Sequence, residues 1–229
     1  MSIRTALPRM LRTAAWVRRR QRVKIVAAPV KVNLGSGIHV APGWINVDGG
    51  VHAMCSRWPR HLLRLLYRHS DCRRTLSQAD YLRILRHEHF VHHALEYGVP
   101  FAADTVDFIY TSHMLEHLFK RDAAILLRDA RRVLKSGGQI RVAVPDLAYA
   151  LRLYRQGSKE EAMSFFFSTG SAGYLDQHHY MYDFDLLQRL LEEAGFTRVR
   201  LCAFQTGECP DLQVLDNRPE ETLFVEATK

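Results

Sequence analysis

The segment Lys31 to Gly37 reads KVNLGSG, a short apolar run that breaks into a glycine turn, and thirteen residues after Gly35 a second apolar run ends at Asp48. Glycine serves where the backbone must take a positive φ, or where a ligand must come close with no Cβ in the way. In an open α/β sheet, ligands lie beyond the carboxyl ends of the strands. Gly35, Gly37 and Asp48 therefore converge on one crevice, where the acid can accept hydrogen bonds from both hydroxyls of a ribose. Spacing excludes two nucleotide motifs. A dinucleotide fingerprint needs a third glycine where Val40 stands and an acid about 20 residues on, and there is no GKS or GKT for a phosphate-gripping loop.

A second set of residues could handle protons. Histidine titrates near neutrality and can take a proton from a hydroxyl. His178 and His179 adjoin in a polar loop, which core packing does not explain, and one of the two is expected to be structural. His113 and His117 stand four apart, on one face of an expected helix, with His113 lining the crevice and His117 packing. Asp146 follows the fifth strand, either as a functional acid or as the N-cap of the next helix. No metal is expected, because neither an HExxH order nor a third ligand accompanies the HxxxH pair.

These residues need strands and helices to hold them. From residue 30 short apolar runs alternate with helical stretches, the pattern of an α/β domain with a parallel sheet. Strands are expected at Val30–Leu34, Trp44–Val47, Phe90–Leu95, Val106–Thr111, Gln139–Val144, Arg198–Ala203 and Thr222–Ala227. Ala123, Leu126, Leu127, Ala130, Val133 and Leu134 follow helical spacing, with Gly137 and Gly138 as the stop. Leu186, Leu187, Leu190 and Leu191 repeat the device between Asp183 as N-cap and Gly195. Pro42-Gly43 leaves room for one helical turn at most between the first two strands, which is short for a parallel crossover. Residues 51–89 are Arg-rich and helix-like, an inserted helical segment that either covers a site or is a crossover helix with a surface excursion. Phe165 to Phe167 and Tyr174 read as core or lid, with Gly170 to Gly173 letting a lid move.

At 229 residues, 47% hydrophobic and 24% charged, the chain is one globular domain with appendages, not a disordered or fibrous protein. The four cysteines show no CxxC or zinc spacing and suit a thiol-reduced, cytoplasmic chain. Of the +8 net charge, nine basic residues and no acid fall in residues 1–31, so the surplus belongs to a leader spanning 1–29 and its junction. Leu7, Met10, Leu11 and Ala14 recur there at helical spacing. Weak contact with an anionic membrane surface or a nucleic acid is one reading of this leader, and a solvated, frayed or domain-packed segment is the other. No run reaches the roughly 18 apolar residues that span a bilayer.

The ordered set KVNLGSG, then GWINVD ending at Asp48, Val99-Pro100-Phe101, Val106 to Tyr110, His113 to His117, Arg132 to Gly138 and Val144 to Leu147 resembles the class I S-adenosylmethionine-dependent methyltransferases of the type 11 group. The likeness runs from residue 30 to about 227. It implies a Rossmann-like fold for 30–229, with a seven-stranded, mostly parallel sheet flanked by helices, strand order 3-2-1-4-5-7-6, and the helical insertion after strand two. It also implies S-adenosyl-L-methionine as cofactor, contacted by Asn33, Gly35, Ser36, Gly37, Asp48, Ala94, Leu95, Ser112 and His113. The acceptor-side chemistry would fall to His178, His179, His113 and Asp146. Many relatives carry an acid where Ala94 stands, so here the adenine contact passes to backbone, Glu96 or water. The implied acceptor is a small molecule or glycan precursor methylated at oxygen. Nucleic-acid methylation through the basic leader and Arg-rich insertion is an alternative, although no Asn-Pro-Pro-Tyr-type signature follows strand four. A non-catalytic cofactor-binding domain is the other alternative.

Overall fold

The computed structural model describes residues 3–25, 28–167 and 177–229, except the side chains of 3–9 and 12. The expected lid loop with Gly170, Gly173 and Tyr174 lies outside the described residues. Helix α1 (Ile3–Arg18) leads to β1 (Lys31–Leu34) and β2 (Ile45–Asp48), after which α2 (Val51–Cys55), α3 (Arg60–Arg68) and α4 (Gln78–His87) precede β3 (His89–His92). Then come β4 (Val106–Ser112), α5 (Lys120–Val133), β5 (Leu134–Pro145), α6 (Leu147–Arg155) and α7 (Lys159–Ser164). The chain ends with α8 (Phe184–Glu193), β6 (Thr197–Cys202), α9 (Leu212–Leu215) and β7 (Thr222–Thr228). The strands form one sheet in the order β3-β2-β1-β4-β5-β7-β6, with β7 antiparallel to both neighbours.

Side chains alternate across a sheet, so each cross-strand row belongs to one face. The row Val91, Val47, Leu34, Thr111, Val142, Val225 is apolar but for one threonine. Helices α5 and α8 cover this face. Ala123, Leu126, Leu127, Ala130 and Val133 of α5 are buried there, as are Leu187, Leu190 and Leu191 of α8. Each leucine taken from water contributes about 1.5–3 kcal/mol. Asp183 caps α8 by accepting the Leu186 amide at 2.9 Å, and Gly195 at φ +93° follows its end.

The adjacent row, on the opposite face, reads Phe90, Asn46, Asn33, Tyr110, Arg141, Glu226, Arg200. Its cover is irregular. The ten residues joining the parallel strands β1 and β2 contain no helix, and the segment between β6 and β7 fills that place. Leu212, Leu215 and Cys209 of that segment pack with Ala41, Trp44 and Tyr110. Asp211 accepts from Lys31 Nζ at 2.6 Å and from Trp44 Nε1 at 2.8 Å, and the Tyr110 hydroxyl donates to the Leu215 carbonyl at 2.6 Å.

Beneath the segment Arg141 is fully buried, and all its donors are used. They reach both Asp216 oxygens, Glu226 Oε1 and the carbonyls of Thr206 and Ala203. Glu226 also accepts the amides of Glu208 and Cys209 and the guanidinium of Arg200. Burial pushes the Glu226 carboxyl up. The Glu208 amide, Arg200, the Cys209 amide and Arg141 outweigh that effect and hold it below the ordinary range. A Cβ at Gly207 would overlap the Glu226 carboxylate, so only glycine lets the backbone cross here.

Helices α2 to α4 cover the β3 end of the same face. Ala53, Cys55, Leu63, Tyr81 and Leu85 surround Phe90, with Ile38 and Val40 of the β1–β2 connection packed against them. Helix α1 buries Ala15 but leaves Met10, Trp16 and Val17 more than half exposed, so its apolar side is not fully packed on the domain. Among the described residues, no helix is long and apolar enough to cross a membrane.

Several strand ends shift by one residue, and three boundaries differ by more: the end of α5, the start of β5 and the end of β3. Helix α5 ends at Val133 rather than at the glycines, because Leu134 already pairs with Val106. Gly137 and Gly138 lie in the irregular stretch before Gln139 resumes pairing with Phe108. Strand β3 ends at His92 rather than Leu95, because a 3-10 turn over Leu95–Tyr97 takes the chain off the sheet.

Candidate functional site

Strands β1, β2 and β4 end side by side, and a cleft of about 290 Å³ opens over β1 and β4. It is lined by Asn33, Gly35, Ser36, His39, Tyr110, Ser112, His113, Asn217 and Arg218. The glycine turn forms one wall. Gly35 has φ +67° and a Cβ there would overlap Met114 Cβ and Cγ, so backbone conformation and packing already require glycine. Gly37 differs. It has φ +52° and a Cβ there would meet nothing within 4 Å, so its side faces open space. The Ser36 hydroxyl is buried with no partner among the described residues, whereas the Asn33 amide is committed to the His39 carbonyl and to Asn46.

Asp48 is tied into the loop. Its Oδ2 accepts the Gly37 amide at 2.9 Å and its Oδ1 the Gly50 amide at 2.6 Å. A carboxylate has about four acceptor positions, so two remain for ligand hydroxyls. His52 and His92 are both lowered, mainly by burial, against the raising effect of Asp48. Both are neutral at pH 7, so no imidazolium competes for the carboxylate. Across from Asp48, Ala94 opens the 3-10 turn ahead of Leu95, and its Cα would stand 3.4 Å from a Cβ on Gly49. Backbone lies against backbone at this edge, leaving any adenine contact without a side-chain acceptor from Ala94.

The histidines are arranged differently from their expected helix. His113 sits at φ +49° outside the 3-10 turn Leu115–His117, so His113 and His117 do not share an α-helical face. The positive φ turns His113 toward the cleft, with Nε2 3.1 Å from Thr222 Oγ1 and Nδ1 3.5 Å from Glu116 Oε1. His117 Nε2 is 3.9 Å from the same oxygen, and the His178 ring meets the His117 ring edge-on with centroids 5.0 Å apart. His113, Glu116, His117 and His178 thus form a row leading away from the cleft wall. His179 lies outside the row, stacked on Phe119 at 4.2 Å, while its amide donates to the Glu116 carbonyl. Asp146 caps α6 through Oδ1 and the Ala148 amide at 2.9 Å.

Of the expected contacts, Asn33, Gly35, Ser36, Ser112 and His113 line the cleft, Gly37 and Asp48 adjoin it through the glycine turn, and Ala94 and Leu95 lie beside Asp48 beyond β3. Sequence reasoning did not include Glu116, Asn217 or Arg218. An acid beside two histidines is the only local signal for Glu116. Asn217 and Arg218 carry none, because they enter from the loop before β7. Residues 51–87 contribute nothing to the described cleft lining.

A methyltransferase domain model matches residues 51–201, about two thirds of the chain, and so excludes the glycine turn and Asp48. Comparison with curated proteins gives no match. Solved structures of similar fold include an S-adenosylmethionine-dependent methyltransferase from Thermotoga maritima (16% identity, 96% of this chain and 92% of that one, TM-score 0.47). Others come from Archaeoglobus fulgidus (15%, 100% and 95%, TM-score 0.49) and Mesorhizobium loti (17%, 96% and 96%, TM-score 0.45). At these values the likeness says nothing of substrate.

Proposed function

This chain belongs to the class I S-adenosylmethionine-dependent methyltransferases, and we propose that it methylates an oxygen of a small-molecule or glycan-type acceptor. The observation carrying the proposal is a single convergence at the ends of β1 and β2. Gly37 faces open space, Asp48 keeps two acceptor positions, and the Ser36 hydroxyl is buried without a partner among the described residues. When bound, the cofactor supplies a methyl carbon on a sulfonium, which passes to the acceptor oxygen as the carbon–sulfur bond breaks and S-adenosylhomocysteine leaves.

The protein's part is chiefly to hold the acceptor oxygen about 3–3.5 Å from that carbon and to keep water out. Asp48 would accept from the ribose hydroxyls. Ser36 and Arg218 would hold the amino-acid end, a guanidinium being suited to a carboxylate. The proton of the acceptor hydroxyl would pass to His113, the member of the histidine row that lines the cleft. His179 and Asp146, stacked and capping respectively, would position rather than react. Oxygen is favoured over an amine because a neutral amine needs no such proton acceptor.

Titration calorimetry with S-adenosylhomocysteine tests the cofactor assignment. We expect micromolar binding, weakened at least about tenfold in Asp48→Ala, as loss of hydrogen bonds to a charged group implies, and less in Asp48→Asn. Thermal unfolding of both variants separates lost ribose contacts from a loosened Gly37–Gly50 loop. A well-folded chain that binds neither S-adenosylmethionine nor its product overturns the proposal.

A further inference from the structure

We propose that Glu116, His117 and His178 form a binding site for one first-row divalent cation of the zinc class. One donor atom from each lies within 4.8 Å of the other two. The expectation of no metal counted ligands by local spacing. The third ligand instead arrives from the loop before α8, far along the chain.

The carboxylate is the first argument. Glu116 is 1% exposed, and among the described residues neither oxygen has a hydrogen-bond partner. A buried carboxylate without a partner is costly, and burial is normally repaid by a proton donor or a metal. The nearest ring nitrogens, His113 Nδ1 at 3.5 Å and His117 Nε2 at 3.9 Å, are too far away or misdirected to serve as donors.

The histidine tautomers are the second. His117 Nδ1 is 3.2 Å from the Gln177 carbonyl, and His178 Nδ1 is 2.5 Å from the Phe165 carbonyl. A carbonyl only accepts, so each Nδ1 carries a proton, and in the neutral ring that leaves the lone pair on Nε2. A ring N–H held by a backbone carbonyl is the usual outer support of a metal-binding histidine. A carboxylate and two imidazoles with donor atoms gathered within 4.8 Å repel less when a cation stands between them. Ligands of a tetrahedral ion at about 2.0–2.2 Å stand about 3.3 Å apart, so closure requires side-chain shifts of about 1 Å or a little more.

Two imidazoles and one carboxylate are the donor set of zinc and neighbouring first-row ions, whereas magnesium and calcium prefer oxygen alone. Three protein ligands leave a position for water or an oxygen of the acceptor. That last role rests on the methyl-transfer reading; the ligand set does not. The Tyr182 hydroxyl nearby is buried and has no partner among the described residues; burial and then Tyr180 and Glu116 push it up, and it stays protonated.

The test is a titration of chelator-treated full chain with Co²⁺, followed by visible absorption, with Zn²⁺ as competitor. We expect one equivalent, with ligand-field bands but no thiolate charge-transfer band, which excludes the free thiols of Cys55, Cys72, Cys202 and Cys209. Glu116→Gln and His178→Ala should each weaken binding at least tenfold. If the buried Glu116→Gln variant fails to fold, His178→Ala, at a partly exposed loop position, decides alone. Absence of binding, a thiolate band, or full-strength binding in His178→Ala overturns the site. No readout needs an acceptor or turnover, so failure of the methyl-transfer reading leaves the result distinct.

Discussion

The two faces of the sheet are buried by different physics. On one, amphipathic helices α5 and α8 lay leucines and alanines on a valine-rich row, and nondirectional burial holds them. On the other, a row of Asn33, Tyr110, Arg141 and Glu226 is covered by a mostly irregular segment, whose one short helix is α9, and which is held by directed bonds. The contrast follows from the chain's economy between β1 and β2. With no crossover helix there, backbone from the β6–β7 connection must cover the sheet, and its peptide groups need polar partners from the strands beneath. The apolar face tolerates volume-conserving change. The polar face depends on each partner being present.

Arg141→Ala should have the largest effect. It leaves Asp216 buried without its cation and Glu226 with Arg200 alone, and should cost about 3–5 kcal/mol in urea unfolding. Leu127→Ala, at an equally buried site on α5, should cost about 2–5 kcal/mol and leave the other face intact. If Arg141→Ala costs less than about 1 kcal/mol, the directed-bond account of that face fails.

The faces should also differ in acid. Because the Glu226 carboxyl is held below its ordinary value, the stability it contributes is fully present above about pH 4.5 and is lost as pH falls through the lowered value. Arg141 stays charged throughout. The urea midpoint should therefore fall on acidification below pH 4.5, and the fall should be shallower in Glu226→Gln. Equal slopes would remove Glu226 from the cause. The smallest effect is expected on the regular face. Asp183→Ala removes one helix cap and should cost about 1 kcal/mol, read as a shift in thermal midpoint.

Legibility in the sequence follows the same division. The α5 and α8 faces were written in helical periodicity, because a residue's side of a helix is set by its neighbours three and four places away. The glycine turn and Asp48 were legible because strand, turn and strand are adjacent in the chain. Gly35 was legible as a glycine but for an incomplete reason, since Met114 rather than a ligand fills its Cβ position. The HxxxH spacing misled, because His113 at positive φ breaks the helix on which that spacing depends.

By itself the sequence determined the alternation of strands and helices, the apolar face and the place of the glycine-turn crevice to which the cofactor is assigned by proposal, since each rests on local spacing and local burial. Its resemblance to a methyltransferase family carried the strand order. Tertiary structure alone decided what covers the polar face, that Asn217 and Arg218 enter the cleft, and that His178 meets Glu116 and His117 while its neighbour His179 stacks on Phe119. In each case the partner arrives from a distant stretch of chain. Spacing specifies which way a side chain leaves its own element, but what it meets depends on how the elements are packed.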